Sequence, residues 1–272
     1  MSIITLTTDY GLKDYFVGAL KGKIYAEFAA ATIVDISHDI FPFNLFETSY
    51  IIGSSYSSFP IGTVHIIGVD IEFNKKNKPL VIDWNNHYFI ATDNGILTLL
   101  TNKIKPKKIF EIYVANDTKL NEIDVFVKTA CHLAKGGNLA EIGIEIDDLK
   151  PITTFQPTIS DDKKVFKGMI IYFDNYNNAV TNITKDIFNE ISNQRRFEIN
   201  FKNKNIKTIF AKYSDVIKNV NFPDQFYDGH ELAVFNEAGF LEIALYRSSP
   251  IAGSAKTMFG LNLGDVVSIN FD

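Results

Sequence analysis

Arginine is nearly missing from this chain. Only Arg195, Arg196 and Arg247 occur among 272 residues, so lysine carries all the side-chain positive charge before them. A site that needs a planar guanidinium fork in the N-terminal half is therefore excluded. Cysteine occurs once, at Cys131. That rules out an internal disulfide and a thiolate metal cluster. Cys131 sits in the helical-looking segment Val125–Ala134 and reads as a small core residue. No run of 18 apolar residues exists, so no membrane span is expected. Met1–Thr5 carries no basic n-region and leads straight into a strand, so no secretion leader is expected. A net charge of −5 lacks the basic stripe of a phosphate-tracking protein. Cytoplasm is the expected compartment, with neither nucleic acid nor membrane as a partner.

Several familiar sites are absent as well. No Gly-x-Gly-x-x-Gly loop and no Gly-x-x-x-x-Gly-Lys-Ser/Thr loop is present to hold phosphates. No Gly-x-Ser-x-Gly elbow presents a nucleophile. His38, His65, His87, His132 and His230 show no paired metal spacing, so no metal is expected. His65 lies inside an apolar strand and His132 inside a helical segment, and both read as structural. The remaining chemistry is that of carboxylates, amides and aromatic rings, on a chain that is 46% hydrophobic and 22% charged, ample for a packed core.

Three apolar runs each stop at an aspartate: Ile3–Thr8 before Asp9, Val64–Val69 before Asp70, and Gly168–Phe173 before Asp174. A buried strand ending in a carboxylate puts an anion at the lip of a sheet, where open α/β folds bind ligands. Such a carboxylate can accept both hydroxyls of a ribose. Aromatic rings can stack on a purine or meet a cation, and asparagine can read an adenine edge. These residues suit a nucleoside-like ligand, with or without positive charge.

Along the chain, strands and helices alternate at first. Strands are expected at Ile3–Thr8, Thr32–Ile36, Val64–Val69, Leu80–Asp83, Tyr88–Thr92 and Ile109–Val114. Helices are expected at Tyr15–Phe28, Asn44–Ser57, Ile96–Leu100 and Asp124–Lys135, the last closed by Gly136-Gly137. Asn85-Asn86 predicts a hairpin turn. The alternation implies a mainly parallel sheet sandwiched by helices. After Pro151 the pattern becomes short strands at Gly168–Phe173, Val180–Ile183, Phe197–Phe201, Ile206–Phe210, Glu231–Phe235, Phe240–Leu245 and Val266–Phe271, with one helix at Asp186–Ser192. That predicts an antiparallel β-barrel or sandwich. The expected domains are 1–150 and 163–272, joined by a linker over about 151–162.

From Leu6-Thr7-Thr8-Asp9-Tyr10-Gly11 onward the sequence resembles the S-adenosyl-L-methionine (SAM) hydroxide adenosyltransferases, adenosine-forming SAM hydrolases related to the fluorinase and chlorinase. The resemblance continues through Val34–His38, Pro42-Phe43, Gly62–Asp70, Asp93-Asn94-Gly95, Asp124-Val125-Phe126, Ala130–Ala134, Asp174–Asn182 and Phe235–Ala244. It implies an N-terminal α/β domain, a C-terminal β-barrel, and a homotrimer with SAM bound between subunits. It also implies hydrolysis of SAM to adenosine and L-methionine by water or hydroxide attacking C5′, with SAM as substrate and no cofactor. Asp9, beside Tyr10, is implied to grip the ribose, and Phe43 to line the methionine end. Asp174, Tyr176 and Asn178 match the family's Asp-x-Phe-Gly-Asn motif, with Asn177 at its glycine, a tolerable exchange where φ is positive. Asn236, Glu237 and Ala238 are implied to face the adenine.

The family's water site departs from its pattern here. Asp70 matches the family aspartate. Lys78 stands near the lost arginine, and in Leu120-Asn121-Glu122-Ile123-Asp124 the family's histidine becomes Asn121. Lys78 supplies charge without the fork, Asn121 holds a water without taking its proton, and Glu122 is the substitute base. An altered, catalytically silent binder of SAM or adenosine is the alternative. A halide-using enzyme is disfavoured by the bulk of Phe73.

Overall fold

The computed structural model describes residues 2–102, 104–114, 121–219 and 221–272. The chain divides into two compact units, Met1–Thr154 and Phe155–Asp272.

In the first unit, β1 (Ile3–Thr8), α1 (Phe16–Glu27), β2 (Thr32–Ser37), α2 (Leu45–Ser55), β3 (Val64–Gly68), β4 (Pro79–Trp84), β5 (His87–Thr92), α3 (Ile96–Thr101), β6 (Lys108–Ile112), α4 (Glu122–Ala134) and β7 (Gly143–Glu145) follow in order. The sheet order is β2-β1-β3-β5-β4-β6-β7. The first four strands are mutually parallel, and β4, β6 and β7 are each antiparallel to the strand before them. Most strands of the sheet therefore run one way, with β4 and β7 reversed. The hairpin at Asn85-Asn86 forms as expected, with both residues left-handed at φ 51° and 63°, the geometry of a primed two-residue turn.

Alternation along the strands sorts side chains onto two faces. Ile4, Leu6, Val64 and Ile66 pack with Leu20 and Ile24 of α1 and Phe126 and Ala130 of α4. Ile67, Ile82 and Phe89 pack with Ile52 of α2 and Leu97 of α3 on the other face. Cys131 is buried within the first cluster. The helix expected from Asp124 begins two residues earlier. Asn121 Oδ1 accepts the Asp124 N–H at 3.0 Å and Asp124 Oδ2 accepts the Asn121 N–H at 3.2 Å, a capping box that starts the helix at Glu122.

The second unit contains β8 (Thr158–Ile159), β9 (Val165–Phe173), β10 (Ala179–Thr184), α5 (Lys185–Ser192), β11 (Phe197–Phe201), β12 (Lys204–Ile206), β13 (Ile209–Phe210), β14 (Glu231–Phe235), β15 (Phe240–Leu245), α6 (Ala255–Met258) and β16 (Val266–Phe271). Its sheet order is β12-β11-β16-β9-β10-β15-β14-β13, with β8 added beside β9. The single strand expected at Ile206–Phe210 is in fact two. The chain leaves its antiparallel partner β11 after Ile206 and joins β14 in parallel at Ile209. Those two short strands are the two edges of the sheet, separated by only Lys207 and Thr208. The sheet is thus a nearly closed barrel, and Lys204 on β12 meets Glu231 on β14 across the seam at 3.3 Å. Phe166, Ile243 and Ile269 are among the side chains that fill its interior. Among the described residues, no helix is long and apolar enough to cross a membrane.

His65 is structural, as its strand position suggested. Its Nδ1 lies 2.7 Å from Thr5 Oγ1, its Nε2 lies 3.1 Å from His87 Nδ1, and its ring stacks on Phe89 at 4.6 Å. Burial, then the neighbouring His87, pull its pKa down from 6.5 to about 3, and burial lowers His87 as well. In the unfolded chain these imidazoles take up protons that the folded chain refuses. Stability should be full above pH 6.5 and decline as pH falls from 6.5 toward 3. Urea midpoints measured across that range should slope downward with acid, and a His65→Asn variant should show a shallower slope. An equal slope in the variant would reject the assignment.

Candidate active site

The end of β1 is clamped to the end of β2 by a chain of polar contacts. Thr8 Oγ1 lies 2.7 Å from His38 Nδ1, His38 Nε2 lies 3.1 Å from Asp35 Oδ1, and Lys21 reaches Asp35 at 2.6 Å. The Gly11 N–H donates to the His38 carbonyl at 2.7 Å, with Gly11 at φ 66°, a conformation glycine adopts without a Cβ penalty. This fixes the intervening Asp9-Tyr10. Asp9 Oδ2 accepts the backbone N–H of Phe43 at 3.0 Å. Phe43 is itself left-handed at φ 63° and is 70% exposed.

Tyr10 lies over the end of β3. A Cβ on Gly68 would come within 2.9 Å of Thr8 Cγ2 and 3.7 Å of the Tyr10 hydroxyl, so the absent side chain leaves room for the Thr8 methyl beneath Tyr10. The ring packs at 5.7 Å on Phe16. Burial, then the carboxylates of Asp9 and Glu122, push the Tyr10 phenol far above its ordinary value. It is a neutral hydroxyl at any physiological pH.

Asp9, Tyr10, Phe16, Ile71, Asn121, Glu122 and Ile123 line one cleft of about 400 Å³. Four residues read from the sequence as site residues, Asp9, Tyr10, Asn121 and Glu122, are therefore brought together from β1 and α4. Asn121 is partly committed, because its Oδ1 is the helix cap and only its NH₂ remains to face the cleft. Leu120, which precedes it in the expected segment, lies outside the described residues.

The other residues read as catalytic sit differently. Asp70 follows β3 with φ 49°, and Asn94 Nδ2 donates to its carbonyl at 2.9 Å and approaches its Oδ2 at 3.4 Å. Asp70 adjoins the cleft through its neighbour Ile71. Lys78 Nζ pairs with Glu111 at 3.3 Å, so its charge is already matched across β4 and β6. Asn94 and His38 stand in the quoted sequence motifs without a role. The structure shows them fixing the ends of β3 and β1.

The second unit holds the other group of expected ligand contacts. Asp174 Oδ1 accepts the N–H groups of Tyr176 at 2.9 Å and Asn178 at 2.8 Å, and its Oδ2 accepts Asn178 Nδ2 at 3.0 Å. Asn177 has φ 59°, which meets the condition under which asparagine replaces the family's glycine. Asn236 Oδ1 accepts the Phe240 N–H at 3.0 Å and closes the turn between β14 and β15. Glu237 and Ala238 form the tip of that turn.

Models of the SAM hydroxide adenosyltransferase N-terminal and C-terminal domains match residues 4–143 and 168–268. The chain belongs to the SAM hydroxide adenosyltransferase family. A Methanocaldococcus jannaschii family member named (R)-S-adenosyl-L-methionine hydrolase is 27% identical over 260 residues, spanning 90% of this chain and 89% of its own. One of the same name from Thermus thermophilus is 22% identical and spans 97% and 98%. The solved structure of an uncharacterized conserved protein from Thermotoga maritima superposes with a TM-score of 0.82 at 27% identity, covering 98% of this chain and 99% of that one. A conserved hypothetical protein from Thermus thermophilus shares the fold, with a TM-score of 0.71 at 22% identity over the whole of both chains.

Within this family fold, the N-cap role of Asn121 has a direct consequence for stability. Asn121→Ala should cost about 1 kcal/mol by loss of the cap, lowering the melting temperature by ~3 °C in a unit of this size. Calorimetric melting checks this, and an unchanged transition would mean that the side chain does not cap α4.

Proposed function

We propose that the protein hydrolyses SAM to adenosine and L-methionine. The observation that carries this reading is the convergence of Asp9, Tyr10, Asn121 and Glu122 on one cleft, in a chain whose relatives are named for that activity. Asp9 uses Oδ2 to hold the Phe43 amide. Its Oδ1 and the remaining lone pair of Oδ2 would take the ribose hydroxyls. The rings of Tyr10, Phe16 and Phe43 would provide the apolar and π surface for the sulfonium-bearing substrate. Asp174, Tyr176, Asn178 and the turn Asn236-Glu237-Ala238 would supply nucleoside contacts from the second unit. The reading includes a homotrimer, which light scattering tests directly.

The reaction is a displacement at carbon. Water oxygen forms a bond to C5′, the C5′–S bond breaks, and its electron pair stays on sulfur. Methionine leaves as a neutral thioether, so no general acid is required. The attacking water must lose a proton. The NH₂ of Asn121 is suited to position this water, and the Glu122 carboxylate is suited to accept the proton. The neutral Tyr10 phenol, in the same cleft as Asp9 and Glu122, would serve as a hydrogen-bond donor. Asp70, at the lip beside Ile71, would orient the water or the substrate amine. Lys78 can assist only by leaving Glu111. The reaction as written draws on no cofactor.

A second reading, a binder of SAM or adenosine without turnover, is favoured by one pair of facts. The two substitutes for the family's arginine and histidine are both engaged elsewhere, Lys78 with Glu111 and the Asn121 oxygen with α4. Incubation with SAM and chromatography of adenosine and methionine separates the two readings. Turnover above a buffer blank is expected, and its absence beside calorimetric binding would establish the binder. Glu122→Gln should cut kcat by about 10² to 10⁴ with little change in KM, the range for loss of a general base. Asp9→Ala should weaken adenosine binding by at least about ten-fold, as loss of a charge-assisted pair of hydrogen bonds implies. Unaltered affinity in Asp9→Ala would remove the ribose assignment.

A further inference from the structure

Glu242 is a buried carboxyl of the second unit to which the proposed mechanism gives no role. It lies on β15, 3% exposed, opposite Val180 of β10 and Val234 of β14. The Tyr213 hydroxyl donates to its Oε1, and Asn236 Nδ2 donates to its Oε2 at 3.3 Å. The Asn178 side chain stands close enough to Glu242 to favour its ionised form, and its Nδ2 donates to Asp174 Oδ2 at 3.0 Å. One amide thus stands close to two carboxyls. Burial, then the charge of Asp174, raise the pKa of Glu242.

A carboxyl buried for packing alone stabilises poorly, since an apolar side chain of similar volume often does as well or better. What Glu242 does supply is direction. Asn178 is 4% exposed, and its Oδ1 has no hydrogen-bond partner among the described residues. Turning the amide over would set that oxygen against the carboxyls of Asp174 and Glu242, so the two acids dictate which way it points. Asn236 is held in the same manner, its NH₂ on Glu242 and its oxygen on the Phe240 N–H.

We infer that Glu242 is a positioning residue for the nucleoside contacts: its carboxyl orients the amides of Asn178 and Asn236 and ties the loop after β9 to the turn after β14. This rests on the proposed reading that those two segments contact adenosine. Glu242→Gln keeps the volume but turns an NH₂ toward groups that donate.

Calorimetric titration of the full chain with adenosine, together with kcat and KM for SAM, tests the inference. In Glu242→Gln the Kd for adenosine and the KM should rise about ten-fold, with kcat held within about two-fold, as expected for misaligned binding groups. A lowered melting temperature with unchanged Kd would overturn the inference and leave Glu242 a structural residue. If Glu242→Gln does not fold, Tyr213→Phe decides. Removing that one donor should raise Kd about three-fold, and no change would overturn the inference. Wild-type protein that takes up no adenosine defeats the proposed function itself, before any variant is made.

Discussion

A strand that runs fully buried to its last residue must still present the chain to solvent somewhere, and here it does so at Asp9. Every residue of β1 is buried, flanked by β2 and β3 in parallel register. Beyond Thr8 there is no strand partner, and the polar groups must be satisfied by side chains and loops. His38 takes up the Thr8 hydroxyl and, through its carbonyl, the Gly11 amide. Asp9 takes up the amide of Phe43. The lip of the sheet is thereby rigid, and among the described residues the acidic group held on it has no ion pair.

The same constraint shapes the cleft around that lip. The capping box at Asn121 fixes where α4 begins, so Glu122 and Ile123 share a cleft with Asp9 and Tyr10. A Glu in the first turn also meets the favourable end of the helix dipole, which lets an acid be stationed near Asp9 despite the repulsion between like charges. Tyr10 lines the same cleft, and its burial, then those two carboxylates, make it hold its proton more tightly. In the second unit the arrangement recurs with different parts. Asp174 folds its own loop by accepting two backbone amides, and its charge acts on the buried Glu242.

Much of this was legible locally. Apolar runs that stop at Asp9, Asp70 and Asp174 named the strand ends, and Asn85-Asn86 named its hairpin, because burial and left-handed turns leave direct marks on composition. Asn121 carried two signals at once. Its spacing to Asp124 is a capping pattern, yet its place opposite the family's histidine drew the reading toward chemistry, and the structure shows the cap. Lys78 was legible as a cation but not as a partner of Glu111, since that pairing exists only when β4 and β6 lie side by side. The break between Ile206 and Ile209 was hidden for the same reason: five strand-forming residues give no sign that their neighbours on the two sides differ.

The amino-acid sequence by itself determined which segments bury themselves, where each strand ends in a carboxylate, and which family those ends resemble, because hydrophobic pattern and turn chemistry act over a few residues. Only the tertiary structure decided that Asp9 and Glu122 line one cleft, that Lys78 pairs with Glu111, and that Tyr213 donates to Glu242. Those facts depend on hydrogen bonds and charge pairs between residues far apart in the chain, whose geometry is set by strand register and helix caps, and no local pattern encodes them.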